Sequence, residues 1–494
     1  MNTPAPIGAT QRYRTGRPIR VALISPKGPL YRHRRGIFRK SLRYQPLTLT
    51  TLAALVPREL DIELVLIDEG IADVPDDLQA DIVGLTVITG TAPRAYALAD
   101  RFRAKGMTVV LGGPHVTLIP DDAQPHADAV VVGYAEDTWP QLLRDFAAGG
   151  AGALQTRYNQ SPDLDLANRP FPRRDLLPGR RYLTNNVFEA TRGCIHNCDF
   201  CVVPAAWGRK PLQKPVEDVV EDIRRHRGGG VRKLIFVDLN LISDREYALR
   251  LFAALVPLKV QWYGLSTVLL ADDLPLLEMA AKSGCRGLLM GLESISPENL
   301  RGSRKGFNSP EHTCGEHYAR VVQLLHQHGI ALQGCFVFGL DHDDADVFLK
   351  TAQFAVDAKI DLPRFAIVTP FPNTALYKRL DSEGRLLTRN WELYDGQHVV
   401  FQPARMSVDE LQQGTEIAWK HAYSLRSIAR RIRHSPAPWP VRLGTNFGYR
   451  FYANHLSRFY NCDWMIGRAH GDGTRSDASN PTAPVQVVAT VGRP

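Results

Sequence analysis

Short apolar runs alternate with amphipathic stretches along most of this chain, and the alternation comes in two blocks. In the first, residues 20–26, 62–68, 81–86, 107–113 and 129–133 read as buried strands rich in Val, Ile and Leu. Between and after them, 46–55, 92–105 and 136–147 place apolar residues at helical spacing, the first opened by Pro46. In the second block, 187–190, 233–238, 260–263, 287–291, 333–338 and 364–368 read as strands. Residues 216–226, 245–255, 274–283 and 317–328 read as the helices between them. Apolar strands separated by helices predict parallel sheets covered on both faces. The expected class is therefore α/β. A doubly wound parallel sheet spans 18–149, a proline-rich linker 150–186, and a second α/β domain 187–380. A mainly helical extension follows over 381–469, then a disordered tail over 470–494 rich in Gly, Ser, Pro and Thr.

Ligands of doubly wound sheets sit at the carboxyl ends of the strands. That places candidate contacts at residues 86–91, 112–117 and 133–136. In the second domain, polar residues gather at the corresponding ends: Asp238 and Asn240, Ser266 and Thr267, Glu293 and Ser294, Asp341, and Thr369. A single acid after a strand commonly caps the next helix; recurrence around one mouth is what points to a site.

Composition agrees with a folded multidomain protein: 494 residues, 44% hydrophobic and 22% charged. No apolar run reaches the roughly 18 residues of a membrane span. With no signal-type start, a reducing cytoplasm is expected, where seven cysteines need not pair. Cys285, Cys314, Cys335 and Cys462 are far apart and read as core or incidental thiols. The net charge of +9 is uneven. Residues 1–57 hold eleven Lys or Arg and no acid, and residues 417–462 hold eight and no acid. Such asymmetry suits phosphate-bearing cofactors, an anionic substrate or a lipid surface, or simple solubility.

Cys194, Cys198 and Cys201 carry the chemistry, in Thr191-Arg-Gly-Cys-Ile-His-Asn-Cys-Asp-Phe-Cys201. Three thiolates this close can hold three irons of a [4Fe–4S] cube and leave the fourth open. The alternatives are a zinc site or three buried thiols. Zinc usually takes four ligands in two pairs, and no second CxxC pair is present. The CxxxCxxC spacing, with Phe200 before the third cysteine, resembles the cluster loop of the radical S-adenosylmethionine (SAM) enzymes. That resemblance implies SAM chelated to the open iron and cleaved reductively to a 5′-deoxyadenosyl radical. It implies a partial (β/α)6 barrel for the second domain, with chemistry at the C-terminal strand ends. Glu293 and Ser266 would then hold the ribose or methionine part of SAM, with Asp238 and Asn240 facing the cofactor.

The first domain resembles the cobalamin-binding domain that precedes the barrel in many such enzymes. The matching pieces are Gly84-Leu-Thr-Val-Ile-Thr-Gly90, Gly112-Gly-Pro-His-Val-Thr117 and Val132-Gly-Tyr-Ala-Glu136. Thr86, Thr89, Gly90, Gly112, Gly113, Gly133 and Glu136 are the implied cobalamin contacts, small where the backbone must approach the ligand. Cobalamin domains with a cobalt-ligating histidine carry DxHxxG. Here Tyr31-Arg-His33-Arg-Arg-Gly36 has tyrosine for the aspartate, so His33 reads as part of a basic loop rather than a ligand.

Two cofactors in one chain imply radical methylation of an unactivated carbon: hydrogen abstraction by the deoxyadenosyl radical, then methyl transfer from methylcobalamin. An oxidative cyclase of the anaerobic porphyrin-cyclase kind shares the layout. A cofactor- or nucleic-acid-binding module without turnover is a third reading. No recognised RNA-binding module accompanies the basic segments, so nucleic acid is not expected as a partner. No Ser/His/Asp nucleophile arrangement stands out. The expected partners are a small-molecule or lipid substrate and an electron donor such as flavodoxin or ferredoxin. In the extension, Ser407-Val-Asp-Glu410 predicts the capped start of a long helix to about His434. Arg426, Arg430, Arg431 and Arg433 mix there with Tyr423, Ile428 and Ile432, which suits either peripheral membrane contact or packing beside the barrel. Packing is preferred. The region looks loosely like that of radical SAM methylases with a cobalamin domain, including those acting on hopanoid lipids.

Overall fold

The computed structural model describes residues 17–28, 44–226, 232–308, 314–456 and 488–491. Six parallel strands form the first sheet: β1 (Ile19–Ser25), β2 (Ile62–Asp68), β3 (Ile82–Thr86), β4 (Thr108–Gly112), β5 (Ala129–Val132) and β6 (Arg157–Asn159). Their order is β2-β1-β3-β4-β5-β6, so the winding reverses between β1 and β3. β6 lies in the stretch expected as linker. Its three residues, Arg-Tyr-Asn, carry no apolar run, but Tyr158 is buried and its backbone extends the ladder from β5. Apolar side chains cover both faces. Leu23, Leu64, Val110, Val131 and Trp139 lie on one, and Ile24, Val83, Leu85, Val109 and Phe102 on the other.

The second sheet is an open barrel of six parallel strands: β7 (Val187–Phe188), β10 (Lys233–Phe236), β11 (Gln261–Ser266), β12 (Cys285–Glu293), β13 (Ala331–Phe338) and β14 (Arg364–Ile367), adjacent in that order. Helices between them start at side-chain caps: Asp244, Asp273 and Ser296 each accept a backbone N–H three residues on. Between β7 and β10 runs a two-stranded antiparallel ribbon, β8 (Thr191–Arg192) with β9 (Leu212–Gln213). The cysteine motif is the excursion between these two strands.

The extension is helical but broken where a continuous helix was expected. Ser407 does cap the helix Val408–Ala422 in a reciprocal capping box with Glu410. Ser424 then caps a new helix, Leu425–Ile432, accepting from the Ser427 N–H. Tyr423 and Ile428 are buried, and Arg431 is fully buried, donating to the carbonyls of Ile360, Asp361 and Ala422. These helices pack beside the barrel. Leu411, Trp419, Tyr423, Ala453 and Leu456 belong to the same core as Phe336 and Phe365. Among the described residues, no helix is long and apolar enough to cross a membrane. Within the tail expected to be disordered, the described residues Val488–Val491 form β15, antiparallel on β2. His33 and Cys462 fall outside the described residues.

Candidate functional site

The cluster loop is pinned at its base before any cofactor is considered. Asp238, just past β10, is buried and accepts from the backbone N–H of Ala190 (3.0 Å), the backbone N–H of Thr191 and the Thr191 hydroxyl (2.8 Å). Burial pushes its carboxyl up to about 7, against the pull of those donors. Asp238 thus spends its oxygens on the chain entering the loop. Tyr247 completes the clamp, its hydroxyl bonding the Ala190 and Lys214 carbonyls at 3.2 and 2.7 Å. At the tip, Asp199 N–H donates to Ser303 O, and Leu376 N–H donates to Asp199 O.

Cys198 is buried, and Cys194 and Cys201 are half-buried. Burial pushes the Cys198 thiol up to about 12 and raises Cys201 as well, while the Lys305 charge pulls both down. Such thiols become thiolates on binding metal, not as free groups. Asn240 lies with its amide nitrogen 3.8 Å from Cys194 Sγ. Among the described residues, no three His, Cys, Asp or Glu converge on one ion. A cube asks for something else: three soft thiolates from one loop, each on a different iron. The donor set fits it.

Above the barrel mouth, Glu293 ends β12 with φ of +65° at a register shift against β13. A non-glycine residue held in this region is a local strain of the kind that clusters at functional sites. Its Oε1 lies 2.6 Å from Lys305 Nζ. Burial works against the Lys305 charge, but Glu293 and the thiols of Cys198 and Cys201 hold its pKa above the ordinary value. Ser266, at the end of β11, is buried, and its hydroxyl donates to Thr267 O at 3.3 Å. The nearby hydroxyls of Thr267 and Ser243 are buried without partners.

On the first domain, a cavity of about 320 Å³ opens over the C-terminal half of the sheet. Gly84 within β3, Gly112 at the end of β4 and Gly133 just past β5 lie in its floor, beside Leu23, Val110, Val131 and Trp139. Gly113 has φ of +105°, and a Cβ there would lie 2.8 Å from Val87 N, so only glycine fits the turn. The helix Leu47–Ala54 lines one side through Leu47, Thr48, Thr51 and Leu52. The barrel supplies the other through Glu189, Thr191, Arg192, Trp207, Val237 and Leu239. Three residues of the lining, Glu136, Trp139 and Trp207, each carry a buried polar atom without a partner: Oε2, Nε1 and Nε1 respectively. Such atoms rarely go unpaired in a folded protein. A mostly apolar cavity with glycines in its floor and with Glu136, Glu189 and Arg192 at its edge fits a large ligand with hydrogen-bonding groups, as the nucleotide tail of cobalamin is.

Of the residues expected at this site, Thr86, Gly112, Gly113, Gly133 and Glu136 line the cavity. Thr89 and Gly90 are not among its lining. Thr89 packs on the other face, its Oγ1 3.3 Å from His115 Nδ1, while His115 Nε2 meets Asp122 at 3.1 Å. Trp391 of the extension packs edge-on against His115, with centroids 5.5 Å apart. Arg192 was not singled out by the sequence, although it stands two residues before Cys194. Its guanidinium bonds Glu136 at 2.5 Å and Glu189 at 2.9 Å and lies 4.8 Å from the Tyr134 ring centroid. Lys305 carries no sequence signal at all, being twelve residues beyond its partner.

Comparison with known proteins agrees with this geometry. Residues 42–143 match the B12 binding domain, 188–355 the radical SAM superfamily, and 374–469 a domain of unknown function, DUF4070. The chain is 29% identical over 400 residues to bacteriochlorophyllide d C-12(1)-methyltransferase of Chlorobaculum tepidum, covering 80% of this chain and 86% of the relative. It is 29% identical over 408 residues to the C-8(2)-methyltransferase of the same organism, covering 79% and 88%. Its fold resembles the radical S-adenosylmethionine methyltransferase TsrM from Kitasatospora setae, solved with cobalamin and a [4Fe–4S] cluster bound. The TM-score is 0.57 at 16% identity, over 74% of this chain and 78% of that one. A glycine-floored cavity walled by the flanks of a CxxxCxxC loop, in two domains matched in this order, makes the chain a radical SAM protein with an N-terminal B12-binding domain.

Proposed function

We propose that this chain is a cobalamin-dependent radical SAM methyltransferase that places a methyl group on an unactivated carbon of a small molecule. One observation carries the reading: the cavity of the first domain is walled by residues from both sides of the cluster loop, so the two cofactor sites meet at one place. When bound, the cluster with SAM supplies a hydrogen-abstracting radical and cobalamin supplies the methyl. The chain's own part is positional. Cys194, Cys198 and Cys201 would ligate the cluster, with Lys305 beside two of them as a fixed cation. Glu293, Ser266 and Asn240 would surround SAM. Thr86, Gly112, Gly113, Gly133 and Glu136 would receive the tail of cobalamin. Val237 and Leu239 give the barrel side of the cavity an apolar lining.

The test is anaerobic purification, reconstitution with iron, sulfide and cobalamin, and measurement of bound iron, bound cobalt and deoxyadenosine released from SAM under a reductant, with flavodoxin or ferredoxin tried as electron donor. The names of the Chlorobaculum relatives supply the first substrates to try, bacteriochlorophyllides. A product heavier by about 14 Da per methyl establishes methylation. Loss of hydrogen or gain of oxygen instead assigns ring formation, and iron without cobalt removes cobalamin from the mechanism.

A further inference from the structure

The contacts between the cluster loop and the first domain have a direction that the cofactor assignments alone do not contain. Arg192, two residues before Cys194, has a side chain only 12% exposed and joins Glu136 of the first domain to Glu189 of the barrel. Trp207, six residues after Cys201, stacks on Tyr134 with centroids 5.2 Å apart and planes 3° from parallel. Tyr134 therefore touches both flanks of the loop, through Trp207 and through the Arg192 guanidinium. These five residues, Tyr134, Glu136, Glu189, Arg192 and Trp207, all line the cavity.

We propose that Arg192 is a positioning residue through which occupancy of the cavity by cobalamin and assembly of the iron–sulfur loop strengthen each other. This rests on the reading of the cavity as the cobalamin site. Glu136 holds Arg192 through Oε1, and Tyr134, Glu136 and Arg192 all line the cavity. An occupant packed against them fixes the carboxylate and the ring, which fixes the guanidinium. Arg192 is itself half of the β8–β9 ladder that closes the base of the cysteine excursion, pairing with Leu212. An ordered Arg192 thus holds the loop in the shape the cluster needs. By linkage the effect is reciprocal: whatever factor cobalamin adds to cluster binding, the cluster adds to cobalamin binding.

The experiment is an anaerobic absorbance titration with hydroxocobalamin of the full-length protein, with and without reconstituted cluster. The wild type should bind at least fivefold more tightly with the cluster in place. In Arg192→Met that ratio should fall to about one while hydroxocobalamin still binds. Tyr134→Leu, which keeps both ion pairs of Arg192 but loses the Trp207 stack and the contact of the guanidinium with the ring, should lower the ratio part-way and guards against a misfolded first variant. Equal wild-type affinity with and without cluster overturns the coupling and leaves the cobalamin site standing, as does a ratio unchanged in both variants. Failure of the wild type to bind hydroxocobalamin in either state overturns the cavity assignment and the coupling together.

Discussion

Lys305 and Glu293 form an ion pair of 2.6 Å in which each side chain is about 10% exposed, and the pair exists because residue 291 is glycine. A Cβ at Gly291 would overlap Glu293 Oε1 and lie 2.7 Å from Lys305 Nζ. A buried pair broken on one side leaves an uncompensated charge, which costs several kcal/mol. The strand end at Glu293, with its positive φ, is therefore a place where small changes act strongly.

Gly291→Ala should weaken SAM binding to the reconstituted protein at least tenfold, about 1.4 kcal/mol. Hydroxocobalamin binding should stay at the wild-type level, since the first domain is untouched. Equilibrium binding of both ligands checks this, and an unchanged SAM affinity would show that the Glu293–Lys305 pair does not shape the SAM site.

Cys198→Ala should abolish SAM cleavage and sharply lower iron content while cobalt remains bound. Cys198 is the most buried of the three thiols, so water cannot stand in for it readily. Retained deoxyadenosine formation would remove the cluster assignment.

Gly112 separates a tolerated change from a damaging one. A Cβ there would sit 3.5 Å from Val131 Cβ, an ordinary contact, so Gly112→Ala should melt as the wild type does. Gly112→Leu fills the floor of the cavity and should weaken hydroxocobalamin binding at least tenfold with SAM cleavage less affected. Unchanged affinity in the leucine variant would mean that the tail of the corrin lies elsewhere.

Asp343 provides a pH test. Burial pushes its carboxyl up to about 7, although it accepts from the backbone N–H groups of Gly339 and Leu340 and from Asn299 Nδ2. Between about pH 4 and pH 7 the folded chain holds a proton there that the unfolded chain has released. Stability from this group is present in full at low pH, falls as pH rises through that window and is level above it. Asp343→Asn cannot titrate and pays a constant cost for its altered hydrogen bonds. Its deficit in Tm relative to wild type should therefore shrink from pH 4 to pH 7. A deficit that stays constant would place the Asp343 pKa near its ordinary value.

Much of this architecture was legible because both sheets are built from strands buried on two faces, whose apolar runs need no context. β6 was not, since Tyr158 is its one apolar anchor. The break at Ser424 was hidden because a serine inside an amphipathic pattern reads equally as helix surface or as a new cap. The cysteines and the glycine floor could be read because their chemistry is local in sequence. Asp238 was expected to face the cofactor, and only the fold shows that the Ala190 and Thr191 amides already occupy it. Lys305 and Trp207 acquire meaning only when strand ends and loops are brought together in space.

The shared wall also sets an order of events as the chain is made. The first sheet emerges from the ribosome early, and domains fold largely as they appear. Its cavity, however, lacks one side until Leu239 has followed, and the last barrel strand lacks its cover until the helices ending near Leu456 arrive. A half-finished chain therefore presents an apolar trough rather than a binding site. A chain interrupted after its first domain would keep that trough and lack the wall that Glu189, Arg192, Trp207 and Leu239 supply.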